Sequence, residues 1–412
     1  MRRVVITGMG LASPLGSTVE SAFERLKKYE NCIQHWEKLD EYERLNTSLG
    51  AFVSGFSIPE HFNRKVRRTM GNVSLMAAVT AEEALKDAGL SGDSIITNGR
   101  TGVSYGSSSG SLDAIMDFYS MCIDKEVKML NSGSYIKMMP QTTAVNISLY
   151  LQTHGRLIPT STACTSGSMG IGYAYEAIKY GFQDVMIAGG AEEIHPTQVG
   201  VFDTLYATSS KNDTPSQTPS PFDKNRDGLV IGEGAGTLVL EEYERAKARG
   251  AKIYAEIAGF ATNTDGTHIT NPNKDMMAEV MRMSLKNAQI SPDKIGYVNA
   301  HGTGTINGDI AETLATEEVF KRKIPISSIK SYTGHTLGAC GAIETILSVE
   351  MLNRNWYPPT LNLKEIDENC GKLDYIKDEG RSFESDYIMT NNFAFGGINT
   401  SIILKKCYNL NI

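Results

Sequence analysis

The chain has 412 residues, with 40 Lys+Arg against 47 Asp+Glu and a net charge of −7. That length corresponds to two or three domain-sized units, and the acidic balance excludes a nucleic-acid binder that relies on overall positive charge. Hydrophobic residues make up 41% and charged residues 21%, which excludes wholesale disorder. The 39 Gly fall in short clusters without a period, so collagen-like structure is excluded as well.

In chain order, Arg3–Thr7 predicts a buried strand, ended by a turn at Gly8 and Gly10. Six Cys stand at 32, 122, 164, 340, 370 and 407 without CxxC spacing, so no zinc ribbon or thioredoxin-like motif is present. Sparse Cys fit a reducing compartment. The apolar run at the N-terminus is too short for a signal peptide. Nothing approaches the roughly 18 apolar residues of a membrane span. The expected location is cytoplasmic. Ser74–Ala88 predicts a helix and Thr101–Tyr105 a second strand. The strand leads into Gly106-Ser107-Ser108-Ser109-Gly110, a G-x-S-x-G pattern in a hydrolase nucleophile-elbow context, with Ser108 as its candidate nucleophile. A plain Gly/Ser turn is the alternative.

Next come Thr160–Gly170 around Cys164, a helix over Gly170–Tyr180, and the strand Asp184–Ala188 closed by Gly189-Gly190. Ser209–Asp227 predicts a long surface loop. Gly232–Gly236 is followed by a strand at Thr237–Glu241, which is not the geometry of a dinucleotide loop. The strand Ile295–Val298 runs into His301, and Lys330–Gly338 carries His335. Asn391–Asn399 joins two strand-like runs. Alternating strands and helices predict an α/β protein with helices on both faces of its sheets.

Two echoes point to an internal repeat. Leu85–Ile95 resembles Leu285–Ile295, 200 residues on, and Cys164-x-x-Gly167-x-x-Gly170 resembles His335-x-x-Gly338-x-x-Gly341, 171 residues on. The unequal offsets predict a duplication with a long insertion in the first half. They also predict that Cys164 and His335 occupy equivalent helix starts.

A Cys at a helix N-terminus faces unsatisfied N–H groups and the positive end of the helix dipole, both of which favour the nucleophilic thiolate. The alternative is a small buried hydrophobe. The other five Cys have no such setting. His301 and His335 lie in small, polar, Gly-containing contexts, where an imidazole is either catalytic or structural. They are not a zinc motif, because 34 residues separate them and no HExxH helix exists. Gly396 and Gly397 after Phe395 allow a turn that aims an N–H at a reacting carbonyl, or simply a hairpin turn with core aromatics.

Together, VVITGMG (4–10), TACTSG (162–167), DKNRDGLVIGEGAG (223–236), NAHGTGT (299–305), KSYTGH (330–335) and NNFAFGGINTSIIL (391–404) resemble the β-ketoacyl-acyl-carrier-protein synthases, in the branch of synthase II. The resemblance runs over nearly the whole chain. It implies the thiolase fold, an α/β architecture of two duplicated halves (1–250 and 251–412) in five α-β-α-β-α layers. It implies decarboxylative Claisen condensation of a malonyl carrier thioester with a Cys-bound acyl chain. Cys164 would accept the acyl group, His301 and His335 would serve decarboxylation and hold the enolate oxygen, and the N–H groups of Cys164 and Phe395 would form the oxyanion hole. Lys330 and Glu344 would be a buried pair behind the imidazoles, and Phe395 a gate. Thr270, Thr303, Thr305, Phe393, Gly396 and Gly397 would bind the substrate arm. His335 sets the chain apart from the synthase III type, which has Asn there. The degradative thiolases have a second catalytic Cys near the final Gly pair, and none occurs at 391–399.

No metal and no tightly bound cofactor is implied; substrates would arrive on the phosphopantetheine of an acyl carrier protein. Carriers are acidic, so Arg64, Lys65, Arg67 and Arg68, with Lys125, Lys128 and Lys211, are the docking candidates. Family members form dimers, here a homodimer or a heterodimer with a chain-length-factor-like paralogue. AFGGIN in place of GFGGTN, EEIHPTQVGVFDTL (192–205) and KMMPQTTAVN (137–146) look like the ketosynthases of aryl-polyene clusters. Housekeeping fatty-acid elongation is the alternative, and a serine hydrolase using Ser108 a remoter one.

Overall fold

The protein, described here from a computed structural model over residues 1–408, repeats one strand order twice. The first half contains β1 (Val4–Ala12), β2 (Thr101–Gly106), β3 (Leu157–Thr160), β4 (Val185–Glu192) and β5 (Gly234–Glu242). They lie in the order β3-β2-β4-β5-β1, parallel from β3 to β4 and antiparallel from β4 to β1. The second half contains β6 (Ala255–Thr264), β7 (Ile295–Asn299), β8 (Pro325–Ser327), β9 (Tyr387–Ala394) and β10 (Ile398–Lys406). Their order, β8-β7-β9-β10-β6, and their directions repeat those of the first half. The two half-sheets touch where Val5 and Ile6 pair with Glu256 and Ala255.

Helices α1 (Asn72–Asp87) and α3 (Lys274–Ala288) cover matching outer faces, on β1 with β5 and on β6 with β10. Helix α4 (Ile306–Phe320) packs beside α3. Helices α2 (Ser166–Lys179) and α5 (Cys340–Arg354) pack on each other and on strands of both halves, which makes them the central layer. Three apolar clusters fill the space between layers: one around Val103 and Val239, one around Ile171 and Ile346, and one around Val298 and Met281. The central strands are buried on both faces, which explains why they read as continuous apolar runs and not as alternating ones.

Several glycines with the composition of turns lie inside strands. β1 runs through Gly8 and Gly10 because α1 presses on it there. A Cβ on Gly8 would lie 2.1 Å from the Ala84 carbonyl oxygen, and one on Gly10 2.0 Å from that of Thr80. The second half repeats the device, with Gly259 of β6 under Ser284 and Ala288 of α3. Gly189 and Gly190 likewise do not end β4, which continues to Glu192. The surface-loop reading of 209–227 fits the exposed tip but not 218–223, which are buried.

The echo at 200 residues matches the ends of α1 and α3. The second echo needs a new register. Each central helix is preceded by a tight turn, Ala163–Thr165 before α2 and Leu337–Ala339 before α5. Both turns open on a non-glycine residue with positive φ, Ala163 at 49° and Leu337 at 45°. Cys164 therefore matches Gly338, and His335 lies just ahead of the equivalent turn. The long insertions do fall in the first half: helices Leu112–Asp124, Ser132–Met138 and Thr142–Leu151 between β2 and β3, and Pro196–Thr204 with its loops between β4 and β5.

Candidate active site

The turn before α2 carries Cys164, and the segment before the matching turn carries His335. His335 Nε2 lies 3.0 Å from Cys164 Sγ. Its Nδ1 accepts the Leu337 N–H at 3.2 Å, so Nδ1 is unprotonated and the proton of the neutral ring sits on Nε2, facing the sulphur. His301 follows β7, with its ring centroid 5.1 Å from that of His335 and nearly perpendicular to it. Its Nδ1 accepts from the Asn392 amide at 3.3 Å, which leaves its proton on Nε2 as well. Burial, then the nearby Lys330 charge, hold both imidazoles well below the usual histidine range. Two neutral N–H donors thus converge beside one thiol.

The thiol departs from expectation. Burial pushes Cys164 up to about 12, although the Lys330 charge and the N–H groups of Phe395 and Cys164 pull the other way. The helix start does not outweigh desolvation, so the resting group is a thiol and not a thiolate. Those two N–H groups nevertheless face the sulphur, where an oxyanion would need them.

Lys330 and Glu344 form a completely buried ion pair, and Asn392 donates to the other Glu344 oxygen at 2.6 Å. Burial opposes the ammonium, but the charge and hydrogen bond of Glu344, together with Cys340 and Glu312 nearby, raise Lys330 on balance. Asn392 thus links the pair to His301. The sequence reading missed three further groups. Glu312 of α4 accepts the N–H groups of His301 and Gly302 at 2.8 and 2.7 Å, and burial pushes it up to about 8. Cys340 is buried in the site, and its S–H donates to the Cys164 carbonyl at 3.2 Å. Glu192 ties Ser108 to Gly338. Glu312 has the signal of a solvated helix face, Glu192 that of a strand end, and Cys340 that of an ordinary core cysteine.

A cavity of about 430 Å³ opens from Cys164, His301 and His335 to the surface, and Thr270, Thr303, Thr305, Phe393, Phe395 and Gly397 line it. Gly396 is not on that wall; it is exposed and its N–H is taken by the Ile269 carbonyl at 2.8 Å. Phe395 packs on Phe202 with ring centroids 5.0 Å apart. Ser108 does not line the cavity, and its hydroxyl donates to the Glu192 carboxylate at 2.5 Å. A serine spent on a carboxylate, with no imidazole bonded to it among the described residues, lacks the base of a hydrolase. Arg64, Lys65, Arg67 and Arg68 are exposed, and none forms an ion pair among the described residues. Lys125 is also exposed, and Lys128 pairs with Glu126. Lys211 is half-buried beside Asp227 at 3.5 Å, so its charge is partly balanced.

A buried Cys with two neutral imidazoles, set between duplicated half-sheets, defines a condensing acyltransferase of the thiolase fold. Residues 1–246 match the β-ketoacyl synthase N-terminal domain and residues 254–364 its C-terminal domain, and the chain belongs to the β-ketoacyl synthase family. A 3-oxoacyl-acyl-carrier-protein synthase 2 of Vibrio cholerae is 40% identical over 413 residues, covering 98% of this chain and 99% of the relative. Among solved structures, a β-ketoacyl synthase of Burkholderia phymatum is 54% identical, with a TM-score of 0.97 over 99% of this chain and 100% of its own. The ketosynthase ApeO of Xenorhabdus doucetiae, solved in complex with its chain length factor ApeC, is 26% identical, with a TM-score of 0.83 over 98% of each chain. The chain is thus a β-ketoacyl-acyl-carrier-protein synthase of the synthase II type. No helix among its described residues is long and apolar enough to cross a membrane.

Proposed function

We propose that Cys164 takes an acyl group from a carrier thioester and condenses it with a malonyl unit, in the biosynthesis of aryl polyenes. The observation that carries the condensation is the convergence of His335 Nε2 and His301 on Cys164 Sγ, with the Phe395 and Cys164 N–H groups facing the same sulphur. In the first step Cys164 attacks the acyl thioester, the carrier thiol leaves, and the Cys164 proton ends on that thiol. In the second, the malonyl thioester loses CO2, and its enolate oxygen is held by the two Nε2–H donors. The enolate carbon attacks the Cys164 thioester, forms the new C–C bond and expels the Cys164 sulphur as a thiolate, which takes a proton from solvent. Neutral donors stabilise the enolate without protonating it first, and each is worth about 2.7–4 kcal/mol if it acts as an oxyanion-hole donor does.

In this reading burial and the Lys330 charge keep the imidazoles neutral, Glu344 holds Lys330 in place, and Phe395 gates the cavity on Phe202. Thr270, Thr303 and Thr305 guide the phosphopantetheine arm, with Phe393 and the turn at Gly396 and Gly397 beside it. The steps require no resident cofactor or metal. Arg64, Lys65, Arg67 and Arg68 receive an acidic carrier protein, with Lys211 nearer the cavity mouth. The two halves divide at 1–250 and 251–412, and the enzyme works in the cytoplasm as a homodimer or beside a chain-length-factor-like paralogue. The aryl-polyene assignment rests on the AFGGIN, EEIHPTQVGVFDTL and KMMPQTTAVN segments. Fatty-acid elongation is the second reading, favoured by the relatives named synthase 2.

Intact-protein mass spectrometry tests both. The protein and its Cys164→Ala variant are incubated with saturated acyl and 4-hydroxyphenyl-polyenoyl carrier thioesters. An acyl adduct that disappears in the variant supports condensation, and the preferred chain decides between the pathways. An adduct that survives Cys164→Ala, or none with any chain, overturns the mechanism.

A further inference from the structure

Asn392 of β9 is buried behind His301, and the chemistry above gives it no task of its own. Its amide nitrogen faces three acceptors: Glu344 Oε2 at 2.6 Å, His301 Nδ1 at 3.3 Å and Cys340 Sγ at 3.7 Å. The neighbours of this nitrogen are engaged elsewhere as well. Lys330 bonds the other Glu344 oxygen, and the Cys340 S–H goes to the Cys164 carbonyl at 3.2 Å. An amide oxygen turned toward the Glu344 carboxylate would meet another acceptor, so Glu344 fixes the amide with its nitrogen inward. The amide oxygen lies instead over Gly341 of α5, whose missing side chain leaves it room; a Cβ there would stand 2.7 Å from it.

This geometry acts on His301 in two ways. An imidazole nitrogen that accepts a hydrogen bond carries no proton, so the amide holds the His301 proton on Nε2. Without the amide, Glu344 would be left to draw that proton onto Nδ1, as a carboxylate partner does. In addition, a nitrogen, a sulphur and a carboxylate oxygen around one point make a zinc-type ligand set. The ligand atoms of His301, Cys340 and Glu344 lie within 4.8 Å of one another. The Asn392 nitrogen stands among them, where an ion would sit. His301 belongs to a second such set, with Cys164 and His335, and a proton held on Nε2 denies that set the lone pair it would need.

We propose that Asn392 is a positioning residue: its amide holds His301 in the Nε2–H form that serves decarboxylation, and it fills the place at which His301, Cys340 and Glu344 would otherwise take up a divalent metal ion of the zinc class. The link to decarboxylation rests on the role given to His301 above. The tautomer and the exclusion of metal stand apart from that role.

The test uses the full-length protein. Nitrogen NMR of histidine-labelled samples reads the tautomer, with His301→Ala to assign the signal. The wild type is expected to hold the His301 hydrogen on Nε2, and Asn392→Ala to move it to Nδ1. Cobalt(II) probes the filled site in a Cys164→Ala background, which removes the neighbouring thiol. There Asn392→Ala is expected to gain a thiolate-to-cobalt charge-transfer band, the Cys340 proton passing to solvent, and Cys340→Ala added to it is expected to remove the band. In EDTA, Asn392→Ala should release CO2 from the malonyl thioester at least roughly tenfold more slowly, the loss of one aligned donor, while Cys164 still takes an acyl group. A wild-type His301 with its hydrogen on Nδ1 overturns the proposal without any variant. So does a folded Asn392→Ala protein whose tautomer is unchanged, or one that gains no band dependent on Cys340. A switched tautomer with unchanged CO2 release overturns the role of His301 in decarboxylation, a failure distinct from that of the amide.

Discussion

The two halves share a strand order, an outer helix and a central helix preceded by a turn with positive φ. They differ in what the turn presents. In the first half its middle residue is Cys164; in the second it is Gly338. A Cβ on Gly338 would lie 2.7 Å from Glu192 Oε2 and 2.9 Å from the Ser108 N. The second turn therefore has no room for a side chain, and its chemistry comes from His335 just ahead of it and from Lys330 and Glu344 behind it. The duplication supplied one helix start twice. Packing at the seam left room for a nucleophile on one copy only.

The largest expected effect comes from the charged pair that only the second half has. Lys330→Met leaves Glu344 buried without its cation, a change that costs about 3–5 kcal/mol where one partner of a buried pair is removed. Urea unfolding should show that loss. Lys330→Met combined with Glu344→Leu should recover much of it. A single variant as stable as the wild type would show that the pair is not the support of the site.

The division of labour can also be tested directly. His335→Ala and His301→Ala should each lower condensation by roughly 10²–10³, while Cys164 still takes an acyl group in the mass-spectrometric assay. Measuring CO2 release from the malonyl thioester beside adduct formation separates the two halves' steps. If either variant lost acylation as fully as Cys164→Ala, the separation would fail. A smaller effect is expected at the matched position. Gly338→Ala forces a methyl against Glu192 and should cost about 1–3 kcal/mol by overpacking, read as a lowered melting temperature. A neutral outcome would mean that the turn relaxes and that the asymmetry is not steric.

Much of the fold was legible because buried parallel strands leave apolar runs and the helices keep their periodicity. The echo between Leu85 and Leu285 was real, since both mark outer helices over a close-packed glycine. Where the reading failed, close packing was the cause. Gly8, Gly10, Gly189 and Gly190 have the composition of turns but are contact points inside strands. The register at Cys164 slipped by three because backbone conformation at Ala163 and Leu337 defines the repeat, and no residue type announces it. Cys164, His301 and His335 were legible from their settings and from the family motifs. Glu312 and Glu192 were not, because burial alone distinguishes them from surface carboxylates, and burial is a property of the assembled layers.

The remaining prediction concerns the thiol, where the helix start and the buried seam oppose each other. A helix N-terminus, two N–H groups and Lys330 all favour the anion, yet burial leaves Cys164 raised to about 12. A raised thiol is protonated at neutral pH, so its thiolate fraction grows as pH rises. Iodoacetamide, which reacts with the thiolate, should therefore alkylate Cys164 more than tenfold more slowly at pH 8 than a free thiol with a pKa of about 8.5. The rate should keep climbing above pH 9, where the free thiol levels off. Lys330→Met removes one group that pulls the thiol down and should slow the reaction further. A rate that levels off below pH 8 would show that the helix start outweighs burial, and that the first half presents a preformed thiolate before any substrate arrives.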